Sequence, residues 1–296
     1  MFAEFPHLTV LADVNELLKD DDFLSECSRT TNLPALEVKQ RIEIYLGEAK
    51  TGLSLVDGLV ARNQRVLEVG CGLGLVSTHL AELGYDVVAI EPGLGGFDFN
   101  STVGALIRRL LDIDLSIQPI EAQNLSADQH GRFDLIFSTN VLEHIPDWRG
   151  ALDGMIRVLK PQGTMRHSCP NYWVPYEPHF GIPLVPVFPK LTSLFRPSLT
   201  TNELWKSLNF LTLGQVRRAA YGRNLQVSFQ RELLFAAFKR LEADPSFGGR
   251  HPRIITMIST VISRIGLIGL LRFLPPALST PMIFDLSRQE QNQLDS

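Results

Sequence analysis

The chain reads as an α/β protein built on a doubly wound, mostly parallel sheet, with an N-terminal helical cap and a helical insertion before the last strand. Three observations predict this. Within residues 65–92, RVLEVGCGLGLVSTHLAELGYDVVAIEP, an apolar strand, a glycine-rich turn, a helical pattern, a second apolar strand and a terminal acid follow one another. Strand-like and helix-like periods then alternate as far as residue 170. Two later runs, Leu225–Phe229 and Pro281–Leu286, look like further strands of the same sheet, separated by residues 230–280. A chain of 296 residues with 45% apolar and 20% charged side chains can bury a full core.

Residues 1–33 are mixed, irregular or helical, with Asp20-Asp21-Asp22 read as a solvated turn. After Pro34, Val38, Ile42 and Leu46 recur at four, and Leu53, Val56 and Leu59 at three, which fits an amphipathic helix or helix pair. Such a segment covers the ligand crevice in this kind of fold and brings Tyr45 toward it. Val66, Leu67 and Val69 then make a buried strand. Gly70-Cys71-Gly72-Leu73-Gly74 is the turn, Leu75, Leu80 and Leu83 mark the helix, and Val87–Ile90 is the second strand, ending in Glu91. This is the nucleotide half-site of a doubly wound sheet. Glycine lets the backbone approach a ligand where a Cβ would clash, and an acid about twenty residues on suits a ribose diol. The spacing G-x-G-x-G, with Leu75 where the last dinucleotide-fingerprint glycine would fall, counts against a nicotinamide cofactor. The absence of G-x-x-x-x-G-K-[ST] excludes a P-loop.

Beyond Glu91, Pro92-Gly93-Leu94-Gly95-Gly96 is a loop and Val103–Leu111 a helix; Leu115–Pro119 is a short strand, followed by Glu121-Ala122-Gln123-Asn124-Leu125. Phe133–Phe137 is a buried strand leading into Ser138-Thr139-Asn140-Val141-Leu142-Glu143-His144-Ile145-Pro146-Asp147. Asp147 caps a helix whose buried face is Leu152, Met155, Ile156 and Leu159. Leu159–Gly163 ends that helix and Thr164–Cys169 is the next strand. Residues 170–197 hold seven prolines, which predicts a stiffened, extended loop without regular structure.

VLEVGCGLG, Glu91 after the second strand, EAQNL, FDLIFSTNVLEHIPD and MIRVLKPQG stand in this order and at matching spacing over about residues 62–170. In these motifs the chain resembles the class I S-adenosylmethionine (SAM)-dependent methyltransferases, in particular the small-molecule enzymes related to ubiquinone biosynthesis. It departs mildly at Leu73, where the family often has Thr or Ser, at Glu121 for Asp, and at Gln162 for Gly. The resemblance implies a seven-stranded Rossmann-like fold and SAM as cofactor. It also implies a division into residues 1–61 as cap, 62–170 as SAM-binding core, 171–230 as acceptor-side lid and core continuation, 231–280 as apolar and basic insertion, and 281–296 as last strand and tail. It places Gly70, Cys71, Gly72 and Gly74 at the methionine end, with Glu68 just before them, Glu91 at the ribose, Glu121 and Ala122 at the adenine, and Asn140 near the methyl group.

Methyl transfer is an in-line displacement, so the protein supplies alignment and, for a hydroxyl acceptor, a base. His144 and His179 are the candidate bases, because imidazole titrates near working pH. The lid would offer Tyr172, Tyr176 and Glu177 to the acceptor. The seven histidines show no metal-ligand spacing, so no metal is expected. The acceptor is read as small or lipid-linked, with a non-catalytic module that assembles through its insertion as the alternative.

Net charge is −4, which argues against a nucleic-acid partner. It is distributed unevenly: residues 1–185 hold 14 Lys/Arg against 25 Asp/Glu, and residues 186–296 hold 14 against 7. The most apolar stretch, residues 254–274, is interrupted by Arg264, and a single membrane span there would separate two strands of one sheet. It reads instead as a packed hairpin, a homodimer contact or an in-plane membrane-docking element near Arg250, Arg253, Arg264 and Arg272. Three scattered cysteines and no signal peptide predict a cytoplasmic protein, with membrane association as an option.

Overall fold

A computed structural model of the chain describes residues 9–93, 98–243, 253–264 and 267–289. Leu94, Gly95 and Gly96 of the expected loop, the tail from residue 290, and Arg250 with other parts of the insertion lie outside the described residues.

Three helices precede the sheet: α1 (Thr9–Leu17), α2 (Asp21–Thr31) and α3 (Ala35–Val56). The expected turn at Asp20-Asp21-Asp22 is a helix start instead. The Asp20 carboxylate accepts from the backbone N–H groups of Asp22 and Phe23, which have no partner inside the helix. Asp21 and Asp22 fill the first turn, where the helix dipole favours acids. The helix before the first strand is single. Val38, Ile42, Leu46, Ala49, Leu53 and Val56 form one continuous buried stripe along it.

The alternation then runs β1 (Arg65–Val69), α4 (Leu75–Glu82), β2 (Asp86–Ile90), α5 (Asp98–Leu110), β3 (Ile117–Gln118), α6 (Ala127–His130), β4 (Phe133–Thr139), α7 (Trp148–Val158) and β5 (Leu159–Cys169). With β8 (Leu225–Phe229) and β9 (Met282–Arg288) these strands form one seven-stranded sheet in the order β3-β2-β1-β4-β5-β9-β8. β1 has parallel neighbours on both sides, with Val66 opposite Val87 and Leu135. Such strands are buried on both faces, which is why Val66, Leu67, Phe133, Leu135, Ile136 and Phe137 form near-continuous apolar runs. The chain winds outward from β1 to β3, then returns to β4 and winds the other way. The β1/β4 boundary is therefore the topological switch point, where an open α/β sheet leaves a crevice.

β5 begins at Leu159, not at Thr164 as expected. Leu159 is extended at φ −78° and ψ 131° with its side chain fully buried, and Lys160 is biased the same way by the proline that follows it.

Of the described residues, those up to His167 together with 287–289 form one compact unit, and those from Ser168 to Leu286 a second. In the second unit residues 170–197 are not the irregular loop expected. β6 (Tyr176–Glu177) and β7 (Ile182–Pro183) pair as a short antiparallel hairpin. α8 (Thr192–Phe195) lies between single-turn helices opened by Pro189 and Pro197. A proline at the start of a helical turn costs nothing, because its missing N–H would have had no partner there. Tyr172, Ile182, Leu184, Leu199, Trp205 and Phe210 close a core beneath these turns, with Trp205 in α9 (Glu203–Ser207). The rings of Tyr172 and Trp205 meet Phe210 edge to face. α10 (Leu213–Tyr221) starts with a capping box between Thr212 and Gln215. The insertion contains α11 (Leu233–Ala243), α12 (Arg253–Arg264) and the turns Leu267–Phe273 and Pro276–Leu278. No helix among the described residues is long and apolar enough to cross a membrane.

Candidate active site

The glycine turn closes the end of β1 onto the end of β2. The N–H groups of Gly70 and Cys71 donate to the Ile90 carbonyl at 2.9 and 3.2 Å, and Gly74 N–H donates to the Cys71 carbonyl at 2.8 Å. Glu91 follows directly: its carboxylate accepts from Gly72 N–H at 2.8 Å and from Gly93 N–H at 3.2 Å. Burial pushes the Glu91 carboxyl up while these two donors hold it down, and burial prevails. A carboxylate has about four acceptor positions, so the two backbone bonds fix Glu91 and leave it able to accept from a diol.

Gly70, Gly72 and Gly74 all have positive φ, at 68°, 57° and 77°. At Gly72 the need for glycine is double, because a Cβ would also fall 2.8 Å from Cε1 of Tyr45. Tyr45 of α3 thus lies against the turn, and its hydroxyl bonds the Asn100 side chain. Burial, aided by the charges of Glu48 and Glu91, drives the Tyr45 phenol far above its usual range, so it stays protonated. On the far side of the turn Glu68 is 5% exposed. It accepts from Ser77 N–H at 3.0 Å and from the Ser77 hydroxyl, which ties β1 to the first turn of α4. Burial pushes the Glu68 carboxyl up to about 7 in spite of those bonds.

Tyr45, Glu48, Glu68, Gly70, Cys71 and Gly72 line an open pocket with an empty volume of about 360 Å³, with Leu75, Val76 and Thr139 completing its wall. The buried Thr139 hydroxyl has no hydrogen-bond partner among the described residues. Asn140 follows in the left-handed region at φ 55°, and its Nδ2 donates to Glu48 Oε1 at 3.2 Å. Glu121 precedes the turn Ala122–Asn124, and its carboxylate accepts from Gln123 Nε2 at 2.9 Å. α7 packs directly onto this turn: a Cβ on Gly154 would lie 1.9 Å from the Ala122 carbonyl oxygen.

The two candidate bases belong to different units and differ in setting. His144 ends the turn Leu142–His144, with its side chain 11% exposed and Nε2 3.9 Å from Oε1 of the fully buried Glu143. His179 follows the strand β6, and its Nδ1 lies 2.6 Å from Glu177 Oε1. Glu177 has no exposed surface. It also accepts from the Tyr172 hydroxyl at 3.2 Å and from Phe180 N–H at 2.7 Å. Burial raises the Glu177 carboxyl, but the hydrogen bond and charge of His179 more than offset it, and the group lies below its usual range. Tyr172 sits in the aromatic core, while Tyr176 is half-buried, its phenol raised by burial and by the Glu177 charge.

Residues 37–227 match a family model described as a methyltransferase domain. The chain belongs to this methyltransferase family. An uncharacterised protein of Mycobacterium tuberculosis (strain ATCC 25618 / H37Rv) is 31% identical over 258 residues, covering 83% of this chain and 87% of the relative. A ubiquinone biosynthesis O-methyltransferase of Xanthomonas oryzae pv. oryzae is 36% identical over 107 residues, 36% of this chain and 43% of that enzyme. Among solved structures, the geranyl diphosphate C-methyltransferase of Streptomyces coelicolor A3(2) shares the fold, with a TM-score of 0.50 at 14% identity over 82% of this chain and 76% of that one.

Two polar side chains of this methyltransferase's pocket escaped the sequence reading. Glu48 lies on the face of α3 that carries Tyr45, Ala49 and Gly52, so the helical spacing from Tyr45 was the available signal. Thr139 sits at the end of β4 next to Asn140, and position at the carboxyl end of a strand was its only mark.

Proposed function

We propose that this methyltransferase takes its methyl group from S-adenosylmethionine and delivers it by in-line displacement to a small-molecule or lipid-linked acceptor. The observation that carries the reading is Glu91, fixed by Gly72 and Gly93 N–H groups over a glycine turn at the switch point of the sheet. The pocket fits that donor chemically: a tight backbone cradle with a buried Thr139 hydroxyl in its wall, and beside it Glu91, bonded to Gly72 of that wall with acceptor positions to spare. When bound, S-adenosylmethionine supplies a methyl group activated by a sulfonium.

The chain's own residues hold and orient. Gly70, Cys71, Gly72 and Gly74 receive the methionine end, with Glu68 bracing the turn from below. Glu91 accepts from the ribose hydroxyls, Glu121 and Ala122 border the adenine, and Asn140, held by Glu48, stands near the methyl group. For an acceptor that must lose a proton, His179 is the preferred base. Glu177 takes the Nδ1 proton side and so leaves Nε2 as the basic nitrogen. Glu177 is therefore a positioning residue in this reading; Tyr172, expected to meet the acceptor, lies in the aromatic core and braces Glu177 through its hydroxyl, which leaves the half-buried Tyr176 on the acceptor side. His144 beside Glu143 is the second candidate. The three cysteines are all buried thiols, in keeping with a cytoplasmic setting. Residues 254–274 are the proposed membrane or homodimer contact, with Met257, Val261, Leu270 and Phe273 exposed.

Calorimetric titration of S-adenosylmethionine into the Glu91→Ala variant tests the reading. Loss of charged hydrogen bonds of about 1.5–3 kcal/mol predicts affinity lower by at least about tenfold. Unchanged affinity would sink the placement of the ribose. Methyl transfer from labelled donor to separated membrane and soluble extracts then tells a lipid-linked acceptor from a water-soluble one.

A further inference from the structure

We infer that residues 187–196 form an interfacial anchor that docks the protein on an anionic lipid surface. Five large apolar residues between 187 and 195 face solvent: Val187 (80% exposed), Phe188 (63%), Leu191 (45%), Leu194 (71%) and Phe195 (78%). Leu191, Leu194 and Phe195 lie at helical spacing on the turn Pro189–Leu191 and α8, and Val187 and Phe188 precede them in the bend that leads into that turn, with Val187 at φ 68°. Singly exposed apolar residues are ordinary on any surface, but five large ones within nine residues of the chain mark a contact surface.

The presentation is built, not frayed. Thr192, in the middle of the stripe, is buried, and its hydroxyl accepts from Val185 N–H at 2.9 Å. Ile182 and Leu184 before the stripe and Leu199 after it are core residues. The two prolines that open the flanking turns fix the backbone direction. The segment is thus held from beneath while its apolar face points away from the protein.

Charge selects the occupant. Lys190 and Arg196 are exposed within and beside the stripe. No Asp or Glu occurs from residue 178 to 202. Apolar side chains flanked by cations and free of acids suit a bilayer interface with anionic headgroups. A second copy meeting this face about a two-fold axis would bring the same cations opposite one another. The inference does not depend on which acceptor is methylated.

Co-sedimentation with vesicles of phosphatidylglycerol and phosphatidylcholine, against pure phosphatidylcholine, tests it with the full-length protein. The wild type should sediment with the anionic vesicles and be released by added salt. The Phe188→Ser/Phe195→Ser variant should partition about tenfold less or weaker still, and Lys190→Gln/Arg196→Gln should lose the preference for anionic lipid. Both variants change exposed residues, and their affinity for S-adenosylmethionine should match the wild type. A wild type left in the supernatant with anionic vesicles overturns the proposal. So does a Phe188→Ser/Phe195→Ser variant that sediments like the wild type, which would shift the contact to residues 254–274. A concentration-dependent dimer in light scattering that this variant abolishes would assign the face to a second copy and overturn it equally.

Discussion

Glu68 shows how one buried acid couples the site to stability. Its carboxyl lies at about 7 in the folded chain against 4.5 for the free group, because burial removes solvent from the charge. A carboxyl raised in the folded state adds stability below pH 4.5 and loses it as pH rises through 7, since the folded form then gives up a proton the unfolded form has already lost. At about 1.4 kcal/mol per pH unit, the loss is about 3 kcal/mol. Glu68→Gln keeps an acceptor for Ser77 without the charge. Urea midpoints at pH 5 and pH 7.5 should therefore differ less in Glu68→Gln than in the wild type. Parallel pH profiles for the two proteins would remove Glu68 as the source.

At the scale of elements, close approach of backbones fixes the turn proposed to border the adenine. α7 can rest on the Ala122 turn only because Gly154 has no Cβ, the added atom otherwise reaching 1.9 Å from the Ala122 carbonyl oxygen. Arg157 of the same helix then donates to the Leu125 carbonyl at 3.1 Å and steadies the turn. Gly154→Ala should push α7 outward, at a cost of about 1–3 kcal/mol, and weaken binding of S-adenosylmethionine through the contacts proposed for Glu121 and Ala122. A melting curve and a titration on the same variant check both, and an unshifted melting temperature would show that the helix yields freely. Elements of this kind were legible in the sequence wherever one period ruled: the apolar runs of β1 and β4, the Asp147 cap of α7, the glycine turn with Glu91. Residues 170–197 were not, because proline signals a break in regular structure and also the opening of a helical turn, as two of the seven do here, and because the aromatic residues beneath them come from positions 172–210. The pocket was legible where a motif repeats in sequence, as at Gly70–Gly74, and not where a wall is lent by a distant helix, as at Glu48.

Over the whole molecule the two ends of the chain carry opposite charge, and ligands of opposite charge are proposed for them. The first 185 residues hold 25 acids against 14 bases, and the pocket within them is lined by Glu48 and Glu68, with Glu91 bonded to Gly72 of its wall. S-adenosylmethionine carries one net positive charge near neutral pH, whereas the demethylated product, without its sulfonium, carries none. A field of this sign should attract the donor and be indifferent to the product. Raising ionic strength from about 0.01 M to about 0.1 M shortens the screening length from about 30 Å to about 10 Å. Donor affinity should then fall by roughly threefold while product affinity stays nearly constant. Titrations of both ligands across that range decide the matter. Equal slopes for the two would mean that the acids act only through their direct hydrogen bonds, and that the charge of the N-terminal part serves something other than the choice between donor and product.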